Sequence, residues 1–275
     1  MAVLRLRDRD AITTREGLIF RVFGYSHPKN AHFCDVEYAP AEIFKSNNPR
    51  AVRSCGQRVF YKFYEDEGSK FIKKSYPQYL ISHDMLRRKI VGVNHSDVVE
   101  VKKPDDKLGK IMKMKPKDEL IAALHDVIEF ITQCSELSTE SFGVFGSLLH
   151  DFYHPKFSDL DFVIYGKEKL VMLRETLQEL YKEKHSILKN EFESDEPIKR
   201  KHWRFQNYSR KEYVMHQRRK LIYALFNDEK SGRIIKTEFE PVKDWKEIKN
   251  EYDSKARISQ KGWVKMFARI KEDHD

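Results

Sequence analysis

Residues 142–166 read FGVFGSLLHDFYHPKFSDLDFVIYG. An apolar run from Phe142 to Phe145 meets Gly146-Ser147, and after a polar gap Asp159-Leu160-Asp161 opens a second apolar run through Tyr165. The pattern predicts strand, tight turn, short helix, loop, strand. Side chains two apart on a strand point to one face, so Asp159 and Asp161 share a face while Leu160, Phe162 and Ile164 share the other. Two carboxylates held together on an apolar backing point to a divalent cation.

The rest of the chain bounds what such a site can serve. With 275 residues there is room for about two domains. The chain is 40% hydrophobic with 18 Phe and 13 Tyr, which argues against disorder. No apolar run approaches the ~20 residues of a membrane span, and the N-terminus lacks a signal-peptide core. The three cysteines, Cys34, Cys55 and Cys134, are widely spaced and offer no zinc pattern. They fit a reducing cytoplasm. A formal charge of +9 favours a polyanionic partner. The 35% of charged residues is also the composition of heat-stable proteins, which accounts for many lysines without any ligand.

Residues 1–101 read as β-rich. Strand candidates are Leu18 to Tyr25, His32 to Tyr38, Arg58 to Glu65, Tyr79 to Ile81 and Val98 to Val101, with Glu67-Gly68-Ser69 as a turn. This region is expected to pack and position; Tyr61, Lys62 and Tyr64 offer an alternative role in base stacking. Lys102 to Lys117 holds seven lysines, two prolines and a glycine, the composition of a linker. Leu120, Leu124, Val127, Ile131 and Cys134 recur at helical spacing within 118–134, and Leu170, Leu173, Leu177 and Leu180 within 167–183. Lys199 to Lys220 carries nine Lys or Arg interleaved with Trp203, Phe205, Tyr208 and Tyr213. Cations neutralise phosphates and aromatic or guanidinium planes stack on bases, so this stretch suits a nucleic acid; a solvated helix is the plainer alternative. Leu221 to Phe226 and Arg233 to Val242 predict a hairpin. Asp244 to Asp253 reads as helical, and Ala256 to Ile258 and Trp263 to Ile270 as strands.

Phe145-Gly146-Ser147, the gap and Asp159-Leu160-Asp161-Phe162 resemble the signature of the nucleotidyltransferase superfamily that includes DNA polymerase beta, poly(A) polymerases and CCA-adding enzymes. Members similarly place a helix before the Gly-Ser strand. The first hundred residues resemble, more loosely, the front half of archaeal nucleotidyltransferase-domain proteins. The resemblance implies an α+β fold: a nucleotidyltransferase domain with a mixed sheet flanked by helices at 118–245. An N-terminal β-rich domain at 1–101, a lysine-rich linker at 102–117 and a C-terminal extension at 246–275 with strand character complete the division.

It also implies an enzyme that moves an NMP from an NTP, ATP among them, to a hydroxyl of RNA, tRNA included, releasing pyrophosphate. Mg²⁺, as a pair of ions, or Mn²⁺ in its place, is the expected cofactor. Asp159 and Asp161 are the expected catalytic and metal-binding carboxylates. Gly146 and Ser147 offer backbone N–H groups and a hydroxyl to the nucleotide's phosphates, with glycine allowing close approach. In archaeal CCA-adding enzymes the third carboxylate stands shortly before a proline on a hairpin's second strand. Thr237-Glu238-Phe239-Glu240-Pro241 resembles that segment, with Glu238 in the place of the usual aspartate and Glu240 the second candidate. Lys199, Arg200, Lys201, Trp203, Arg204, Arg218 and Arg219 are the candidate nucleic-acid contacts. His150 and His154 are not expected as ligands but as loop residues near bound nucleotide. The alternatives are transfer to a protein or small molecule, or a non-catalytic RNA-binding protein on a decayed transferase fold. Nucleotide and acceptor identity, templating and oligomeric state are not legible.

Overall fold

A computed structural model describes residues 4–199, 203, 205, 207–269 and 271. The first unit is an eight-stranded sheet of β1 (Ala11–Thr13), β2 (Ile19–Val22), β3 (Ala31–Pro40), β4 (Val52–Cys55), β5 (Arg58–Lys62), β6 (Leu80–His83), β7 (Arg88–Asn94) and β8 (Glu100–Lys102). Helix α1 (Glu67–Ser75) lies between β5 and β6. The turn expected at Glu67 is thus the first turn of a helix: Gly68 and Ile72 face inward, and only a glycine fits where a Cβ would meet Val36 at 2.6 Å. Strands β1, β4 and β7 carry too little alternation or hydrophobicity to stand out in the sequence.

The sheet has two buried faces. Phe20, Val22, Cys34, Val36 and Phe63 pack against Ile72 and Tyr79, while Ala11, Ile19, Tyr38 and Phe60 pack against Leu149 and Phe152 of the second unit. The second contact seats the first sheet on Leu149, the last residue of the short helix that begins at Gly146-Ser147.

The lysine-rich segment is not a linker. Helix α2 (Pro104–Met112) starts on its proline, where the missing N–H costs nothing, and buries Leu108 and Ile111 with the second core. Its lysines are the solvated side of an amphipathic helix, so composition concealed two core residues. Helix α3 (Glu119–Gln133) follows, capped by Asp118, whose Oδ1 accepts from Ile121 N at 3.0 Å. Its buried Leu120, Leu124, Val127, Ile128 and Ile131 each stabilise the fold by about 1.5–3 kcal/mol relative to exposure.

Next come β9 (Phe142–Val144), α4 (Gly146–Leu149), β10 (Leu160–Tyr165), α5 (Lys167–Lys182), β11 (Leu188–Asn190), α6 (Glu196–Lys199), α7 (Arg210–Lys220), β12 (Tyr223–Asp228) and β13 (Arg233–Val242). They build a five-stranded sheet in the order β11-β12-β13-β10-β9, in which β10 and β13 run parallel and the other pairs antiparallel. This is an α+β fold with a mixed sheet. Phe142, Val144, Phe162, Ile164 and Phe239 turn one face onto α2, α3 and α5. Helix α2 crosses edge strand β9 so closely that a Cβ on Gly143 would stand 2.7 Å from the Asp105 amide.

No described residue from 243 to 269 lies in a helix or strand, so the expected helix and strands of the C-terminal extension do not form. The segment instead runs back over the first sheet. Asn250 Nδ2 donates to the His27 carbonyl (2.8 Å), and the Tyr252 ring sits 5.7 Å from Phe33. The exposure of Trp263, Val264 and Phe267 leaves the later apolar residues without a sheet to join.

Candidate active site

Strand β10 and its parallel neighbour β13 build the site. Asp161 is the register partner of Glu238, and Val163 that of Glu240. Register partners share a face, so Asp161 and Glu238 stand side by side, opposite the helix-packed face that holds Phe162 and Phe239. Asp159 lies immediately before β10, at the end of the loop from α4. That loop is fixed by Arg233, whose guanidinium donates to the carbonyls of Pro155 (2.9 Å) and Ser158 (2.6 Å). Tyr153 adds a second tie, donating to the capping carboxylate Asp118 at 2.8 Å.

Gly146 touches this cluster directly. Its φ is +60°, in the left-handed region, and a Cβ there would stand 2.5 Å from Asp161 Oδ2. Phe145 N donates to the Asp161 carbonyl at 3.0 Å, pinning the turn to the strand. Ser147 follows in α4, a helix of one turn, and its carbonyl accepts from Phe152 N at 2.9 Å.

The electrostatics follow from the crowding of acids. Burial, then the neighbouring Glu238 and Asp159, push the Asp161 carboxyl up to about 7. Partial loss of water raises Asp159 as well, although its side chain is exposed; Lys236 and Arg233 pull it the other way. The counter-charge is Lys236, with Nζ 3.5 Å from Glu238 and 3.6 Å from Glu191. Burial works against its ammonium, but Glu238, Glu191 and Asp159 outweigh that and raise its pKa. Lys236 was legible in principle, since it precedes Glu238 by two on the same strand face.

Among the described residues no three His, Cys, Asp or Glu side chains converge tightly enough to enclose a metal ion. The donor set is nonetheless all carboxylate oxygen, the chemistry that suits Mg²⁺ or Mn²⁺. Mutual repulsion among Asp161, Glu238 and Asp159 is what a cation would relieve.

Glu240 stands apart from this group and pairs with Arg9 of the first unit at 3.3 Å. His150 does lie in the turn after α4, but it is turned inward between the two units. It is 2% exposed, packed 5.4 Å from the Tyr38 ring and 5.5 Å from Phe152, with neither ring nitrogen hydrogen-bonded. His154 is exposed, its Nδ1 accepting from Lys156 N.

The basic candidates scatter. Lys199 ends α6 and pairs with Glu196 at 2.7 Å. Trp203 donates to the Tyr208 carbonyl (2.7 Å) and packs on Phe205 and Tyr213. Arg218 is exposed at the end of α7. Arg219 lines a cavity of about 530 Å³ with Arg174, His216, Lys220, Tyr223 and Glu240, so this cation reaches the acidic strand's edge. Arg200, Lys201 and Arg204 lie outside the described residues.

Residues 127–252 match the family model described as nucleotidyltransferase domain. The chain is similar to an uncharacterized protein of Methanocaldococcus jannaschii, with 28% identity over 278 residues that cover 98% of this chain and 77% of the relative. No solved structure gives a significant match. Among the described residues no helix is long and apolar enough to cross a membrane. Residues 127–252, which contain the Gly-Ser turn and both acidic strands, are the part of the chain that matches a nucleotidyltransferase domain.

Proposed function

We propose that the protein transfers an NMP from an NTP to a hydroxyl of RNA, in a reaction that depends on a divalent cation and releases pyrophosphate. The observation that carries this reading is the register pairing of Asp161 with Glu238, against a glycine turn that leaves no room for a side chain. Asp159 and Asp161 would hold the cation, with Glu238 completing the set. A bound Mg²⁺ supplies neutralisation of phosphate charge and acidifies the attacking hydroxyl. The Gly146 and Ser147 backbone and the Ser147 hydroxyl orient the β- and γ-phosphates. The acceptor oxygen attacks the α-phosphorus, its proton passes to Glu238, and the bond to the β-phosphate oxygen breaks. Lys236 keeps the carboxylates near their working geometry before nucleotide arrives.

The RNA acceptor is supported by the cavity of Arg174, Arg219 and Lys220 beside Glu240, and by the aromatic side chains that extend from it along α7. Incubation with each labelled NTP, Mg²⁺ and total RNA tests the reading. Label on RNA is expected, and its loss in Asp159→Ala and Asp161→Ala variants that remain folded. No label from any NTP, with salt-dependent RNA binding retained, sinks the enzymatic reading; label on protein alone moves the acceptor.

A further inference from the structure

Strands β10 and β13 form only one wall of the site. The other wall is the first sheet. Tyr38 and Phe60 of that sheet pack on Leu149 and Phe152, which follow directly from the Gly146-Ser147 turn. Lys62 is the register partner of Tyr38 and stands two residues from Phe60, so it shares the face turned toward the turn. Its ammonium lies within electrostatic reach of Asp161. Yet among the described residues it has no hydrogen bond or ion pair, only a 6.0 Å approach to the Tyr64 ring. Asp161 and Glu37 act on it electrostatically but neither closes an ion pair with it, so this half-buried ammonium on an inward face is open to an arriving anion.

Arg9 is a second, independent sign. Its backbone holds φ +72°, which a non-glycine residue rarely adopts. That conformation sends the guanidinium over the Phe145 ring, at 5.5 Å, and to Glu240 at 3.3 Å. Phe145 immediately precedes the glycine turn. Arg9 thus places a forked cation beside the turn, with Glu240 at Nη2 and Asp8 farther off at Nε. Its buried Nε has no hydrogen-bond partner and stands 3.8 Å from Asp8 Oδ2, a looser ion pair. A guanidinium of this kind exchanges one oxyanion for another, and phosphate oxygens match its geometry. The acids of the opposite wall repel a triphosphate, so binding one requires cations facing them.

We propose that Arg9 and Lys62 bind the phosphates of the incoming nucleotide, so that the N-terminal sheet is half of the active site. This rests on the nucleotide-transfer reading. The two residues are positioning groups for phosphate, and the sheet's packing on Leu149 and Phe152 holds them opposite the carboxylates.

The test is calorimetric titration of the full chain with an α,β-methylene NTP and Mg²⁺, beside steady-state transfer kinetics. The proteins are wild type, Lys62→Met, Lys62→Arg, Arg9→Gln and, as a charge-loss control on α1, Lys70→Met. Loss of one charge-assisted contact is expected to weaken nucleotide binding about 10- to 100-fold. KM should rise more than kcat falls, Lys62→Arg should restore most of the affinity, and Lys70→Met should bind as wild type. Wild-type affinity in folded Lys62→Met and Arg9→Gln overturns the assignment. Wild type that binds no nucleotide overturns the transfer reading first and this assignment with it. The Lys62 and Arg9 arms are read separately, so unfolding of one variant leaves the other decisive.

Discussion

Replacing Gly146 by alanine separates a backbone cost from a site cost. At φ +60° an alanine pays about 1–2 kcal/mol for the left-handed conformation. The new Cβ would also lie 2.5 Å from Asp161 Oδ2, roughly 1 Å inside ordinary contact. A carboxylate turns about its last torsion at little cost, so this clash is resolved by moving Asp161 rather than by unfolding. Gly146→Ala should therefore lower Tm by about 2–8 °C, from about 2–4 °C per kcal/mol in a chain of this size. Displacing a metal-binding oxygen by about 1 Å should cost on the order of 100-fold in transfer rate. Gly56→Ala is the matched control: Gly56 has φ +59° but nothing within 4 Å of the added carbon. It should lose similar stability and no activity. Tm by scanning calorimetry and label transfer at saturating NTP give both readings. Full turnover in folded Gly146→Ala, or equal activity losses in the two variants, would refute the contact between the turn and Asp161 as the operative feature.

Glu238→Gln should abolish transfer while Glu240→Gln keeps it, because only Glu238 stands in register with Asp161; the reverse pattern in a primer-extension or labelling assay would reassign the third carboxylate. In EDTA at pH 8, Asp161→Asn should raise the urea midpoint, since a carboxyl pushed up to about 7 by burial and two acidic neighbours is ionised against its surroundings. For an acid with a raised folded pKa, stability is lost as pH climbs through that value, so the variant's advantage should fade toward pH 5. Burial holds the His150 imidazole down to about 3, so the unfolded chain takes up that proton first as pH falls below about 6.5. His150 alone should remove about 1.4 kcal/mol per pH unit below that point, about 2 kcal/mol at pH 5. Folded His150→Leu should flatten the dependence of urea-unfolding free energy between pH 7 and pH 5 by that amount; an unchanged slope would show that His150 does not bear it.

Periodicity made much of the second unit readable. The leucine and isoleucine spacing of 118–134 and 167–183 corresponds to α3 and α5, and the Gly-Ser turn and Asp-Leu-Asp run carried the superfamily resemblance in the residues themselves. Amphipathicity hidden under a charge run was not readable: Leu108 and Ile111 stand with two methionines among seven lysines, and only the facing core shows that they are buried. The strands expected beyond residue 255 failed for the opposite reason. Trp263 and Phe267 have strand propensity but no partner edge, and an isolated strand leaves its backbone groups unpaired.

By itself the sequence singled out Asp159, Asp161, Gly146 and Ser147 as the candidate residues, because strand alternation and a glycine's left-handed freedom are local properties. The register that seats Glu238, rather than Glu240, beside Asp161 was not local. It depends on how a strand more than seventy residues away in sequence aligns with β10, and a shift of one residue would have turned Glu238 into the helix-packed core. The facing wall of Arg9 and Lys62 was further still from sequence reading. Those two residues reach the acids only because Tyr38 and Phe60 bury themselves against Leu149 and Phe152, and burial between two units leaves no periodic mark in either one.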